Sequence, residues 1–119
     1  MSRPTGLFRE VTPGNPGVST LTGVSDHFLV STTLHSREAA IDLLRSAVGA
    51  KLAASGQVLG PAVSVFWHKG HLGESEEWHL VLRTTAARYE ELEAHLIEGH
   101  PWESPEVTYI RIDGGSSAG

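Results

Sequence analysis

Three side chains in the segment 100–106 could bind a divalent cation or move a proton, and they recur every third residue: His100, Glu103 and Glu106. Imidazole nitrogen and carboxylate oxygen are both ligands of Zn²⁺ and Cu²⁺. One interpretation makes His100 and Glu103 a cation site, or polar groups of a cleft between subunits. The other is structural: His100 caps helix carbonyls, and Pro101 and Pro105 hold a rigid turn. A third interpretation is that Glu103 and Glu106 form a paired-carboxylate site for general acid–base catalysis.

Two further residues are candidates for contact with a ligand. Arg83 ends a predicted strand, and its guanidinium could pair with a carboxylate or phosphate. The alternative is an ion pair with Glu103 or Glu106. Trp67 could stack on a planar ligand, although packing in a core or an interface is the more common use of such a tryptophan.

Other chemical signals in the chain are weak. His68 and His71 flank Gly70, with His79 further along, but no helix fixes their geometry. We therefore interpret His68 and His71 as solvated turn residues rather than a metal site. The nucleophile elbow, the phosphate-binding loop, the zinc-protease helix and the dinucleotide fingerprint are all absent from the sequence, so we predict a protein that is not an enzyme.

Composition narrows the class of protein. The chain has 119 residues, enough for one domain, and a formal net charge of −5, which argues against nucleic-acid or anionic-membrane partners. It contains no cysteine, so disulfides and thiolate metal sites are excluded. Apolar runs are too short for a membrane span, and residues 1–6 do not resemble a secretory signal. We therefore expect a cytoplasmic protein.

The predicted elements follow the order β-α-β-β-α-β within a folded domain at residues 26–113. Residues 1–25 and 114–119 are rich in Pro, Gly, Ser and Thr, and we predict a flexible arm and a flexible tail. Ser36 is expected to cap the first helix. Pro61 predicts a bend or bulge. The predicted strands are 28–33, 63–67, 78–84 and 106–112, and the predicted turn between the second and third strands is 68–74. The apolar face of the first predicted helix consists of Ala40, Leu43, Leu44, Ala47 and Val48. That of the second consists of Tyr89, Leu92, Leu96 and Ile97.

This order predicts an α+β fold, a ferredoxin-like sandwich with an antiparallel sheet and two helices on one face. The first and third strands must lie centrally. The other sheet face would remain open to water. Its apolar and aromatic content indicates that another subunit covers it.

Several short strings, in this order, resemble those of the CutA family. They span about residues 28–115. Singly each is weak, but together they follow the independently derived strand order. The strings are Thr32-Thr33, then Leu52-Ala53-Ala54-Ser55 for an L-A-A-C step, Ser64 to Gly70 for S-x-Y-W-x-G, Glu77 to Thr84 for E-x-x-L-x-x-K-T, and His100 to Glu106 for H-P-Y-E-x-P-E.

The resemblance implies a homotrimer with hairpins pairing between subunits, a relation to the PII signalling fold, and a link to copper and other divalent cations. This chain departs from the family pattern at Ser55 and Thr32, where family members have cysteine. It also lacks the family's aromatic-rich ending beyond Gly115. Any Cu²⁺ or Zn²⁺ would therefore bind through histidine and carboxylate groups. Three functions stay open: a trimer binding a cation or small ligand in subunit clefts, a scaffold trimer or PII-like sensor, and an enzyme using His100.

Overall fold

Four strands and two helices alternate in the order that the sequence predicts. The computed structural model describes residues 26–116. The predicted arm at 1–25 lies outside the described residues, and the predicted tail is described only as far as residue 116. The elements are β1 (His27–Leu34), α1 (Arg37–Gly49), β2 (Ser55–His68), β3 (His71–Thr85), α2 (Ala86–Gly99) and β4 (Thr108–Ile112).

The sheet has the strand order β2-β3-β1-β4, and every neighbouring pair is antiparallel. The first and third strands are therefore central. Both helices pack on one face of the sheet, as the buried side chains of β1 and β3 show. This arrangement confirms the predicted ferredoxin-like α+β fold.

Alternate residues of the central strands supply the core. In β1, Val30 and Leu34 are fully buried, and in β3 so are Leu80 and Leu82. Such alternation is expected of a sheet with one covered face. The helices contribute Ala40, Leu43, Ala47, Tyr89, Leu92 and Leu96.

One predicted core residue is wrong. Ile97 is 44% exposed, whereas Leu96 beside it is fully buried. Consecutive helix residues point about 100° apart. Because Tyr89, Leu92 and Leu96 already occupy the side of α2 that meets the sheet, Ile97 lies outside the contact.

The first helix begins where the sequence predicts. The hydroxyl of Ser36 accepts a hydrogen bond from the amide of Ala39 at 3.2 Å, satisfying one of the free N–H groups of the first turn. The last strand is shorter than predicted, because it begins at Thr108 rather than Glu106. Tyr109 stacks on Phe28 with ring centroids 4.3 Å apart, which packs β4 against the core.

The hairpin joining β2 and β3 is longer than predicted. The turn consists of Lys69 and Gly70 alone, both with positive φ, as a type I′ turn requires. β1 pairs with β3 only from Trp78 to Thr85. Residues 62–68 and 71–77 therefore form a two-stranded ribbon beyond the rest of the sheet, which we call the hairpin extension.

A bulge separates the hairpin extension from the sheet, as Pro61 predicts. Leu59 pairs with His79 and Ala62 pairs with Glu77, so two residues of β2 oppose one of β3. The extra residue switches the phase of alternation in β2. In the extension, even-numbered residues of β2 consequently face the side of the sheet opposite the helices.

Candidate ligand site at the base of the hairpin

A carboxylate is held at the base of the hairpin extension by side chains from three elements. Glu77 of β3 accepts hydrogen bonds from the hydroxyls of Ser64, at 2.5 Å, and Ser75, at 3.1 Å. His35, just after β1, places Nε2 3.6 Å from Glu77 Oε2. The Glu77 side chain is only 14% exposed. We call these four residues the Glu77 cluster.

The cluster keeps its carboxylate charged. The hydrogen bond from Ser64 is the main cause that lowers the pKa of Glu77 below its usual 4.5. Partial burial acts in the opposite direction, while Ser75 and His35 add to the lowering. Near neutral pH the site therefore presents an anionic oxygen beside an imidazole, a combination that suits a divalent cation.

His100, a predicted metal ligand, lies buried against the end of β1. Its Nε2 is 2.8 Å from the carbonyl oxygen of Thr33, and its Nδ1 accepts a hydrogen bond from the amide of Trp102 at 3.1 Å. A carbonyl can only accept, so Nε2 donates and carries the hydrogen. Both ring nitrogens are thus engaged, and a cation at His100 would have to displace one of these hydrogen bonds. The backbone N–H of His100 also donates to the carbonyl of Ile97 at 3.3 Å, so His100 caps the end of α2 as the structural interpretation predicts, while its side chain is hydrogen-bonded to β1.

The turn after α2 brings His100 close to the Glu77 cluster. The ring of Trp102 lies 4.9 Å from that of His100 and 4.6 Å from that of His35, between centroids. The carbonyl of Glu106 accepts a hydrogen bond from the hydroxyl of Thr32 at 2.9 Å. That bond to β1 holds residue 106 outside the ladder. The side chains of Glu103 and Glu106 are exposed beside this turn.

Arg83 and Trp67 lie elsewhere in the chain. Arg83 pairs with Leu29, four residues along β1 from Thr33, a separation of about 13 Å. Among residues 26–116, Arg83 makes no ion pair with Glu103 or Glu106. Trp67 is 74% exposed near the end of the hairpin extension, away from the core of this chain. One subunit therefore does not bring the five predicted ligand residues together.

The described part of the chain holds no group of three or more His, Asp or Glu residues that could enclose a metal ion. His35 and Glu77 do form a matched pair. Two tetrahedral ligands of Zn²⁺, each about 2.1 Å from the ion, lie roughly 3.4 Å apart. The observed 3.6 Å between Nε2 and Oε2 is close to that value. A complete site would need further ligands from water or another chain.

His35, Glu77 and Ser64 are not among the site residues predicted from the sequence, although the sequence carries a signal for two of them. Ser64 and Glu77 are the first residues of the two hairpin strings that resemble the CutA family. Their contact depends on the position of the bulge at residues 60–61, which sets the faces of β2. His35 stands alone after a strand, with no spacing that marks it.

The ferredoxin-like α+β sandwich with its long β2–β3 hairpin defines the class of protein. Similarity to known proteins identifies the family. The family model described as "CutA1 divalent ion tolerance protein" matches residues 28–118, so the chain belongs to this family. The rice protein "Protein CutA 1, chloroplastic" is 31% identical over 88 residues, covering 74% of this chain and 50% of the relative. The divalent-cation tolerance protein CutA of Citrobacter koseri is 27% identical, covering 79% of this chain and 82% of the relative.

Solved structures agree. CutA from Synechococcus elongatus superposes with a TM-score of 0.76 at 28% identity, covering 84% of this chain and 88% of that one. The divalent cation tolerance protein (Cut A1) from Thermus thermophilus superposes with a TM-score of 0.71 at 26% identity, covering 76% of this chain and 87% of that one. The chain spans about half the length of the curated plant relatives that it matches.

Neither helix within residues 26–116 combines the length and the apolar character needed to cross a bilayer. The names of the rice and Arabidopsis relatives place those proteins in chloroplasts.

Proposed function

We propose that this chain assembles as a homotrimer in the cytoplasm and binds a divalent cation, Cu²⁺ or Zn²⁺, in clefts between subunits. It would act in cation tolerance as a binding protein and not as an enzyme. The observation that carries the proposal is the pair His35 and Glu77, whose ligand atoms lie 3.6 Å apart. A second subunit would complete the coordination.

The cation chemistry rests on the charge state of the cluster. The lowered pKa of Glu77 keeps its carboxylate ionised, so no proton must leave before a cation binds. Ser64 and Ser75 fix the orientation of the carboxylate, as residues around a metal ligand commonly do. The exposed carboxylates of Glu103 and Glu106 lie on the adjoining turn, where they can contribute oxygen ligands to a shared cleft.

The trimer rests on the hairpin extension. Its helix-side face carries an uncovered apolar stripe, in which exposure ranges from 58% for Val65 to 74% for Trp67. An apolar stripe of this kind is typical of an interface. Every copy of the chain carries the same stripe, so symmetric assembly would bury it repeatedly. The stripe consists of Val63, Val65, Trp67 and Leu72.

Calorimetric titration with Zn²⁺ and Cu²⁺ tests the cation site. We expect the double variant His35→Gln/Glu77→Gln to lose affinity by about tenfold or more, because each change removes a direct ligand. Glu76→Gln is the matched control, since Glu76 is exposed on the opposite face of the same strand. Unchanged binding by the double variant would overturn this site. Loss of binding in Glu103→Gln instead would favour the turn ligands predicted from the sequence.

Assembly is tested at Val65, which pairs with Glu74 across the hairpin. In Val65→Lys the new ammonium faces Glu74, so the hairpin itself is kept while the stripe becomes charged. We expect sedimentation to shift from trimer to monomer, with an unchanged circular dichroism spectrum. Ala87→Lys, on the exposed surface of α2, is the control and should remain trimeric. A Val65→Lys protein that stays trimeric would contradict the proposed interface.

A second candidate is a scaffold trimer or PII-like sensor whose stripe receives another protein. Exposure of Trp67 at the hairpin end favours it. It predicts that Trp67→Ala abolishes capture of a stoichiometric partner while the trimer and cation binding persist.

A further inference from the structure

The end of the hairpin extension places two histidines directly opposite each other. His68 is the last residue of β2 and His71 the first of β3, and the register pairs them across Lys69 and Gly70. Both are exposed. In a loose loop over residues 68–74 the two rings would move independently of each other. The observed two-residue turn instead holds them side by side.

The pairing sets how far apart the rings can be. Directly opposed residues of an antiparallel pair project from the same face, with Cβ atoms about 4.5–5.5 Å apart. Imidazole nitrogens bind Zn²⁺ at about 2.0–2.1 Å, so two rings on such a base can reach one ion. The positive φ angles of Lys69 and Gly70 close the turn that fixes this base.

Both rings are free of polar contacts in the part of the chain that the structure describes. Within residues 26–116, the imidazoles of His68 and His71 have no hydrogen-bond or ion-pair partner, in contrast to His100, whose two nitrogens are both engaged. Their lone pairs are therefore available to a metal.

An aromatic ring lies beneath the pair. Phe66 lies on the same face, two residues before His68, and its ring covers Gly73 on the facing strand. A Cβ at residue 73 would lie 2.7 Å from the ring. The ring fills that cross-strand position and limits how far the two imidazoles can lean down the ribbon.

We propose that His68 and His71 form a two-histidine site for a divalent transition ion, with water filling the remaining positions. Cu²⁺ should bind most tightly, with Ni²⁺ and Zn²⁺ weaker, as the general affinity order predicts. Mg²⁺ and Ca²⁺ should not bind, because they prefer oxygen ligands. The site lies six residues along β3 from Glu77, about 20 Å away, and does not depend on the cleft proposal.

A composition-matched swap gives the sharpest test. In His71→Leu/Leu72→His the chain keeps every residue type, but the histidine moves to the opposite face of the strand. We expect calorimetric titration with Cu²⁺ to show about a tenfold or greater loss of affinity at this site, equal to that of His68→Gln. His27→Gln, an exposed histidine at the start of β1, is the control and should bind as the unaltered protein does.

Spectroscopy separates this site from the Glu77 cluster. In a Trp78→Phe/Trp102→Phe background, where Trp67 is the one remaining tryptophan, Cu²⁺ at the hairpin end should quench Trp67, and the quenching should vanish in His68→Gln but persist in His35→Gln/Glu77→Gln. Cu²⁺ binding that is unchanged in both His68→Gln and the swap variant would overturn the proposal, whatever the cleft variants do. If His35→Gln/Glu77→Gln binds Cu²⁺ normally while His68→Gln and the swap variant lose affinity, the cleft proposal fails and the hairpin site is supported.

Discussion

The base of the sheet and the hairpin extension are built from the same two strands, yet they are stabilised differently. At the base, β3 lies between β1 and β2, and the helices bury one face completely around Leu80 and Leu82. In the extension the two strands have only each other, and their apolar stripe remains exposed. The base therefore supplies most of the free energy of folding, while the extension leaves apolar surface exposed, where we propose that subunits meet.

The largest effect should come from α2, which covers the base. Leu96→Ala leaves a cavity in a fully buried position and should lower the free energy of unfolding by about 2–5 kcal/mol. Ile97→Ala, one residue further and 44% exposed, should cost about 1 kcal/mol or less. Urea unfolding measures both. Equal losses would mean that the helix face is assigned wrongly.

Gly56, in the base of the sheet, and Gly73, in the hairpin extension, should differ in the same way when replaced by alanine. A Cβ at residue 56 would lie 2.7 Å from the carbonyl oxygen of Val81, whereas the atoms nearest to one at residue 73 belong to the ring of Phe66. Backbone cannot move aside easily, but a half-exposed ring can. We expect Gly56→Ala to cost about 1–3 kcal/mol and Gly73→Ala clearly less, both by thermal unfolding. A larger loss for Gly73→Ala would contradict this difference between the two regions.

The smallest effect should come from the junction, at Glu77. Because folding lowers the pKa of Glu77 below 4.5, its ionised form stabilises the fold above that pH. This contribution is lost as the pH falls through the folded-state pKa. Glu77→Gln should therefore cost about 1–2 kcal/mol at neutral pH, and the difference from the unaltered protein should shrink in acid.

Urea unfolding at neutral pH and near pH 3 measures the change, and Glu76→Gln is the control. A cost for Glu77→Gln that stays constant with pH would show that the charge of Glu77 does not stabilise the fold.

Much of the base could be predicted from the sequence, because its signals are local. Ser36 marks the start of α1, and the apolar spacing identifies the helix faces. The length of the hairpin could not be predicted in this way. Leu72, Gly73 and Glu74 resemble turn residues, yet they pair with Trp67, Phe66 and Val65. Pairing with β2 across the two-residue turn overrides the local turn preference of these residues.

The site was predictable only in part. The string around His100 was recognised, but its partner, the carbonyl of Thr33, lies 67 residues away in the chain. Likewise, Ser64 reaches Glu77 only because one extra residue of β2 switches its faces at Pro61. Contacts of this kind depend on register, which no spacing along a single strand specifies.

The bulge at Pro61 also bears on solubility. β2 is an edge strand of 14 residues, and a long unbroken edge of N–H and C=O groups can recruit strands from other molecules without limit. Pro61 has no N–H to donate, and the register shift divides the edge into two shorter runs. The chain can thus keep a long hairpin with an exposed apolar stripe while its edge resists open-ended aggregation.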